Sequence, residues 1–339
     1  MKKIALVTGI SGQDGAYLAQ LLLKKNYKVV GADRRSSRDD KWRLRELGIE
    51  NKIIIEYFDL CEITQILRLF EKYKFDEVYN LAAQSFVGSS FTNPLTTSDV
   101  TGLGVLRLLE AIRNSKKKPK FYQASSSEMF GKVLKTPQDI NTPFNPVSPY
   151  AVSKLYAHFM TKNYREAYGL FAVSGILFNH ESPLRGEEFI TRKITIGLSK
   201  IKAGLIECLE VGNIDAKRDW GYAGDYVKAM WLSLQSKKPN DFVLATGKTH
   251  SVRNFINEAL KYFQIEAYWQ GKKGNEKLRL KKNNKVIIKI NKKFYRPNEV
   301  ELLLGDPRKT FKNLKWKPQV NFKQLVKIMS LSDLKKYNF

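Results

Sequence analysis

The tightest constraint on this chain lies in its first fifteen residues, where Gly9, Gly12 and Gly15 recur at every third position directly after the apolar run Ile4 to Thr8. A short β-branched run of this kind reads as a buried strand. Ala16 to Leu23, apolar and free of proline and glycine, reads as a helix. Glycines between the two let the backbone turn sharply and let an anion approach, and the free N–H groups of the first helical turn point at it. The plain alternative is a strand-to-helix connection with no ligand. Further strand-like runs follow at Tyr27 to Ala32, Ile53 to Tyr57, Glu77 to Leu81, Lys120 to Ala124 and Phe171 to Leu177. Helical segments lie between them at Ala16 to Lys24, Thr64 to Lys72, Gly102 to Asn114 and Ala151 to Ala167. This alternation demands parallel pairing through right-handed crossovers, a doubly wound Rossmann-type α/β sheet. The expected division is a dinucleotide-binding domain over residues 1–178, with about 220–248 returning to it. A smaller C-terminal α/β substrate lobe takes 179–219 and 249–339.

At 339 residues the chain can bury a large core, and its 43% hydrophobic and 12% aromatic content excludes a disordered polymer. Cys61 and Cys208 have no CxxC spacing, so they read as free thiols of a reducing cytoplasm. His158, His180 and His250 are spread too widely for a metal site, and none is expected. Lys2 and Lys3 ahead of an apolar run imitate the start of a signal peptide, but Gly9 ends that run early. No apolar stretch approaches the roughly 18 residues of a membrane span. The 59 basic against 33 acidic residues leave a net charge of +26, which raises the question of nucleic acid. The lysines at 116–118, 272, 273 and 281–293 sit in polar turns, and no helix gathers them on one face with aromatics between. An enzyme with anionic ligands explains the excess as well, so neither a nucleic acid nor a membrane is an expected partner.

Ligands of such a sheet sit at the carboxyl ends of its strands. The turn Gly9, Ile10, Ser11, Gly12, Gln13, Asp14 and Gly15 would cradle the central phosphates. Asp33, twenty-one residues past Gly12, ends the second strand where an acid holds the ribose 2′-OH of NAD. Arg34, Arg35 and Ser36 follow at once, and guanidinium groups at this place grip a 2′-phosphate instead. The expected cofactor is therefore NADP, against the alternative of a solvated charged turn. Asp59 and Leu60 after the third strand, and Leu81, Ala82, Ala83, Gln84 and Ser85 after the fourth, would flank the adenine and the phosphates. In "SPYAVSKLY", Tyr150 and Lys154 stand at i and i+4 near a helix start and share a face. A free tyrosine titrates near 10, and a neighbouring ammonium together with a positive nicotinamide favours phenolate.

The order TGxxGxxG, "LAAQS", "SSSE" and YxxxK resembles the extended short-chain dehydrogenase/reductase superfamily. Longer stretches are similar to the GDP-mannose 4,6-dehydratase family: "KWRLRELGIE", "FYQASSSEMFG", "GILFNHESPLRG", "TRKIT", "GNIDAKRDWGYAGDYVKAMW" and "FYRPNEVELLLGDP". The likeness runs from about residue 3 to 330. It implies conversion of GDP-mannose to GDP-4-keto-6-deoxymannose with tightly held NADP, a first step toward GDP-fucose or GDP-rhamnose-type deoxysugars. The implied catalytic set is Ser126, Glu128, Tyr150 and Lys154, with Tyr150 as base for the 4-hydroxyl and Glu128 as the carboxylate that removes the C5 proton. Ser126 stands where the family usually has threonine, and it keeps the hydroxyl that links the sugar to the tyrosine. His180 and Arg185 resemble contacts to the nicotinamide side of the cofactor. Asn179, Lys193, Arg218, Arg296 and Glu299, with Ser85, would hold the nucleotide sugar. A homo-oligomer, dimer or tetramer, is expected. A sugar-nucleotide 4-reductase, or a dehydratase of another GDP-hexose, is the competing enzyme, and a basic nucleic-acid-binding protein the competitor from another class.

Overall fold

Strand-forming runs rich in Val, Ile and Tyr alternate with helices whose apolar faces close over them. The computed structural model describes residues 2–37, 39–272, 274–295 and 298–337. The first half runs β1 (Ile4–Thr8), α1 (Gln13–Lys24), β2 (Lys28–Asp33), a short α2 (Trp42–Glu46), β3 (Ile54–Tyr57), α3 (Ile63–Lys72) and β4 (Glu77–Asn80). Short helices α4 (Val87–Ser90) and α5 (Pro94–Ser98) lead through a π turn at Asp99–Leu103 into α6 (Gly104–Asn114). β5 (Lys120–Ser126), α7 (Pro149–Tyr168) and β6 (Ala172–Leu177) follow. The second half holds β7 (Asn179–Glu181), α8 (Ile190–Lys202), β8 (Leu209–Val211), β9 (Lys217–Arg218), β10 (Trp220–Tyr222), α9 (Ala223–Leu234), β11 (Asp241–Leu244) and β12 (His250–Ser251). It ends with α10 (Val252–Phe263), β13 (Ala267–Gln270), β14 (Lys277–Leu280), β15 (Val286–Ile290), α11 (Arg308–Leu314) and α12 (Phe322–Tyr337).

Seven parallel strands form the main sheet in the order β11-β6-β5-β4-β1-β2-β3. The chain moves outward one way from β1 and the other way from β4, so a crevice opens beyond their carboxyl ends. Register sets Thr8 beside both Ala32 and Asn80, which brings the ends of β1, β2 and β4 to one level. Leu18 and Leu22 of α1 pack with Val227 and Met230 of α9 on one face, while Ile66, Leu108, Leu109 and Ala157 fill the other. A second core, with Ile194, Leu198, Phe255, Phe263, Ile288 and Leu325, lies under the four-stranded sheet β13-β14-β15-β8. The parallel pair β7-β10 and the antiparallel pair β9-β12 run between the two sheets.

Several element ends differ from the sequence expectation. Helix α1 begins at Gln13 instead of Ala16, because Gly15 is the one residue type that fits there: a Cβ would stand 2.3 Å from the Gly9 carbonyl oxygen. The helix expected from Gly102 opens as the π turn before α6 becomes regular. In the second lobe, the buried guanidinium of Arg192 pairs with Asp333, which also accepts from Thr195 Oγ1 at 2.7 Å. That contact fastens α8 to α12 and leaves the next residue, Lys193, lining a cleft.

Candidate active site

The first cleft grows out of β1. Gly9 has φ +66°, and a Cβ on it would stand 2.9 Å from the Ala82 nitrogen, so the turn lies against the turn after β4. Thr8 ties the two together: its hydroxyl donates to Asn80 Oδ1 (2.6 Å) and accepts from the Leu81 and Ala82 nitrogens. Gly12 caps α1 without a side-chain acceptor, so the first-turn N–H groups are left to a ligand. Asp33 faces this turn. Its carboxylate accepts from the Ser11 hydroxyl, the Ser11 nitrogen and the Arg34 nitrogen. Beyond it lies a cleft of about 780 Å³ lined by Ser11, Asp33, Arg34, Arg35, Ser36 and Asp59, among others. Arg34 and Arg35 are exposed and carry no ion pair among the described residues. This chemistry, a glycine cradle, open helix N–H groups and two uncommitted guanidinium groups, fits a dinucleotide cofactor. Ile10 and Leu60, expected beside the cofactor, turn their side chains into the core. Ala83, Gln84 and Ser85 follow Leu81 and Ala82 at the end of β4, with the Gln84 nitrogen donating to Thr101.

The second group of residues gathers where β5 ends and α7 begins. Ser148 caps α7 by accepting from the Ala151 nitrogen (3.1 Å), and Pro149 opens the helix. Tyr150 and Lys154 thus emerge one turn apart, with the Lys154 ammonium 5.8 Å from the Tyr150 ring centre and donating to the Ala124 carbonyl at 2.7 Å. Ser126, the last residue of β5, accepts from the Glu128 nitrogen at 3.2 Å and so fixes the turn that carries Glu128. All four are buried. The protein's own surroundings favour the neutral phenol. Burial pushes Tyr150 up to about 12; the Ser126 hydrogen bond pulls it down, the Glu128 charge pushes it up and the Arg185 charge pulls it down. Burial also pushes Lys154 down to about 8. Lys154 alone therefore does not make a phenolate, because the same burial that brings the pair together penalises both charges.

His180 joins the two lobes. Its Nε2 meets Asp14 Oδ2 at 2.6 Å and its Nδ1 meets the Phe178 carbonyl at 2.8 Å. Both ring nitrogens thus face acceptors and the ring is held as imidazolium, stacked on Tyr226 at 4.8 Å. Burial opposes that charge, but the Asp14 carboxylate outweighs it and holds His180 above its usual value. Burial likewise works against ionised Asp14, and the His180 charge and hydrogen bond bring it below the usual carboxylate range. Gln13 extends the joint by donating to the His180 carbonyl and accepting from Ser182. Arg185 pairs with Glu181 (3.2 Å) and lies over the Phe189 ring.

A second cleft, of about 500 Å³, opens between β7, α8 and the residues Lys293, Phe294, Tyr295 and Glu299. Lys193 lies 3.5 Å over the Phe294 ring. Arg218 pairs with Glu299 at 3.1 Å, and Asn179 Oδ1 is buried with no hydrogen-bond partner among the described residues. Arg296 lies outside the described residues. Three contributors went unread in the sequence. Arg43 donates to the Leu184 and Ser11 carbonyls, bridging the glycine turn to the second lobe. Phe189 and Phe294 supply the aromatic walls. The segments "KWRLRELGIE" and "FYRPNEVE" contained Arg43 and Phe294, but nothing in their spacing singles them out.

A family model described as GDP-mannose 4,6 dehydratase matches residues 6–329. The chain belongs to the GDP-mannose 4,6-dehydratase family. Relatives of that name from Cricetulus griseus and Arabidopsis thaliana are each 49% identical over 98% of this chain, which spans 92% and 90% of their own lengths. The Vibrio cholerae serotype O1 member is 49% identical over 98% of this chain and 94% of its own. Among solved structures, a Thermus thermophilus UDP-glucose 4-epimerase complexed with NAD superposes with a TM-score of 0.81 at 23% identity, covering 97% of this chain and 98% of that one. A Bacillus anthracis dTDP-glucose 4,6-dehydratase in complex with NAD gives 0.80 at 17%, covering 98% and 97%. At such identities the likeness is one of fold.

The Asp14–His180 pair has a definite pH window. The raised His180 stabilises the fold fully below about 6.5 and loses that contribution as pH rises through its folded value; the lowered Asp14 stabilises above about 3.9 and loses it as pH falls. Burial lowers His158 and His250. Histidine-selective NMR should therefore show His180 titrating above the other two, and Asp14→Asn should lower its midpoint by about 1 pH unit or more. A His180 that is neutral at pH values where free imidazole is charged contradicts the pairing.

Proposed function

We propose that this chain removes water from GDP-mannose to give GDP-4-keto-6-deoxymannose, with NADP held in the first cleft and restored in each turnover. The observation that carries the reading is the buried carboxylate of Glu128 on the turn fixed by Ser126, beside Tyr150, within a chain of this family. Its charge is close enough to raise the phenol. Oxidation of a sugar alcohol needs only the Ser-Tyr-Lys set, whereas elimination needs a further base.

With the adenosine end of NADP held in the first cleft, its nicotinamide would supply the acceptor for the C4 hydrogen and the donor that returns it to C6. Tyr150 Oη, with the Ser126 hydroxyl beside it, takes the 4-hydroxyl proton. Lys154, fixed by the Ala124 carbonyl, stands next to the phenol where its charge opposes the burial cost of the phenolate. The 4-ketone acidifies C5, and the Glu128 carboxylate removes that proton. Glu128, now a carboxylic acid, protonates the departing C6 hydroxyl, and water leaves. The proton held by Tyr150 balances reprotonation at C5, so the protein ends as it began. Lys193 and Arg218 supply cations for the diphosphate, Asn179 the unpartnered carbonyl oxygen near the sugar, and Glu299 an acceptor for the guanosine ribose. An exposed apolar row on α7, Val152, Tyr156 and Phe159, supports a homo-oligomer, and two free cysteines support a reducing compartment such as the cytoplasm.

Glu128→Gln tests the word dehydratase. The variant should fold and bind GDP-mannose, and substrate-dependent absorbance of reduced nicotinamide should appear and persist. Exchange of the C5 hydrogen with solvent should fall by roughly 100- to 10,000-fold, the share of a positioned general base. Full turnover by the glutamine variant would move the elimination to another residue.

NADP over NAD rests on Arg34 and Arg35. Replacing both with alanine should narrow the preference, each charge-assisted contact to a 2′-phosphate being worth about 1.5 to 3 kcal/mol. Tighter binding of NAD than NADP by the unmodified chain would return the ribose to Asp33.

A further inference from the structure

Asp219 is a buried carboxylate that the chemistry above leaves unused. It lies between β9 and β10, with no exposed surface. Its Oδ1 accepts from the Thr246 nitrogen (2.9 Å) and hydroxyl (2.6 Å), and its Oδ2 from the Gly247 nitrogen (2.9 Å). The Gly305 nitrogen donates to the same carboxylate. Its own nitrogen donates to the Leu303 carbonyl at 3.1 Å. Every side-chain partner is a donor.

These partners belong to the two segments that flank β9. On one side Lys217–Arg218 pairs with His250–Ser251, a few residues beyond Gly247. On the other, the Lys217 nitrogen donates to the Glu301 carbonyl (2.8 Å) and the Leu303 nitrogen to the Lys217 carbonyl (3.3 Å). The Arg218 guanidinium reaches the Lys217 and Glu301 carbonyls and the Glu299 carboxylate, and lines the second cleft. One carboxylate therefore holds the strand that carries Arg218 to both of its neighbours. Thr246 and Gly247 also follow β11, the edge of the main sheet, so the same contact fixes this strand relative to the sheet.

We propose that ionised Asp219 is a positioning residue for nucleotide-sugar binding: it holds the Arg218 strand in register between the 246–247 loop and the 303–305 segment, and its protonation loosens the grip on the diphosphate. The inference rests on the reading that Arg218 meets that diphosphate. Three of the four donors are backbone N–H groups that cannot accept, so a proton on the carboxyl either displaces one of them or turns the Thr246 hydroxyl round to accept it and donate to the Lys248 carbonyl (3.2 Å); either way the contact that orders the 246–247 loop is exchanged. The charged and titratable groups on the packed elements are Lys217 and Arg218 on the strand, Lys248 and His250 on the loop, Glu301 and Asp306 on the C-terminal segment, and Asp225 and Tyr226 on α9. None gives Asp219 an ion pair among the described residues. Burial pushes its carboxyl up to about 6, against the hydrogen bonds from Thr246, Gly247 and Gly305. Because that value lies above the free carboxyl's, near 3.9, the folded chain takes up the proton first as pH falls, and the ionised form costs folding stability at neutral pH.

Calorimetric binding of GDP-mannose to the NADPH-loaded chain, which holds no oxidant for turnover, tests the inference. The diphosphate diester of this ligand does not itself titrate across the range used. Affinity should hold from about pH 8 to 7 and then fall roughly tenfold with a midpoint near 6. Asp219→Asn should bind about tenfold more weakly at pH 8 and lose the pH dependence, with NADPH affinity unchanged. Thr246→Val, which removes one donor and keeps the carboxylate, should move the midpoint to higher pH; it decides the matter if the asparagine variant does not fold. An Asp219→Asn chain that binds as tightly as the unmodified one, or keeps its pH dependence, overturns the proposal, as does an unmoved midpoint in Thr246→Val. Arg218→Ala checks the underlying reading separately: undiminished binding by that variant removes Arg218 from the diphosphate whatever Asp219 does.

Discussion

Backbone passes so close to backbone at the first turn that a single methyl group would separate the parts of the site. A Cβ on Gly9 would meet Ala82, and one on Gly15 would meet the Gly9 carbonyl oxygen. That close approach brings the turn after β4 against the turn after β1, with the Thr8 hydroxyl spanning them. It also lets α1 begin early enough for Gln13 and Asp14 to stand in its first turn, where they reach Ser182 and His180 of the second lobe. Phosphate cradle, lobe joint and cleft mouth all follow from how tightly glycine lets these segments pack.

Buried charge is the second organising feature, and it is expensive unless paired. The Asp14–His180, Arg192–Asp333 and Arg218–Glu299 pairs each join an element of one segment to a distant one. Each fixes a residue of one segment against another far from it in sequence, so polar contacts as well as apolar ones hold these elements together. Tyr150, Lys154 and Asp219 are exceptions: each is buried without an ion-pair partner among the described residues, and burial pushes all three toward neutrality. A phenol and an amine poised in this way can exchange protons with a substrate at modest cost once a positive ring lies beside them.

The main sheet was legible because its strands are apolar runs bounded by polar turns, and because βαβ alternation admits few topologies. Its strand ends moved by one or two residues, and α1 lengthened because Gly15 was expected to interrupt a helix that it in fact permits. Tyr150 and Lys154 could be singled out in the sequence by their i, i+4 spacing behind a three-glycine turn, whereas Ser126 and Glu128 were marked only by the resemblance to the family. The second lobe was opaque. Its strands β9, β10 and β12 are two or three residues long, and their pairing is set by partners thirty or more residues away, such as His250 with Arg218. The Asp14–His180 contact, 166 residues apart in sequence, likewise exists only through the fold. The phenol's high value depends on burial, which residue spacing does not report.

The claim that one site oxidises C4, eliminates water and reduces C6 within a single bound molecule is tested most directly by a crossover experiment. GDP-mannose with deuterium at C4 is mixed with GDP-mannose carrying carbon-13 in the hexose, and the products are read by mass spectrometry and NMR. Internal transfer predicts deuterium at C6 only in molecules without carbon-13, with C5 alone carrying hydrogen from solvent. Deuterium at C6 of the carbon-13 molecules, or its loss to solvent, would contradict transfer within the closed site.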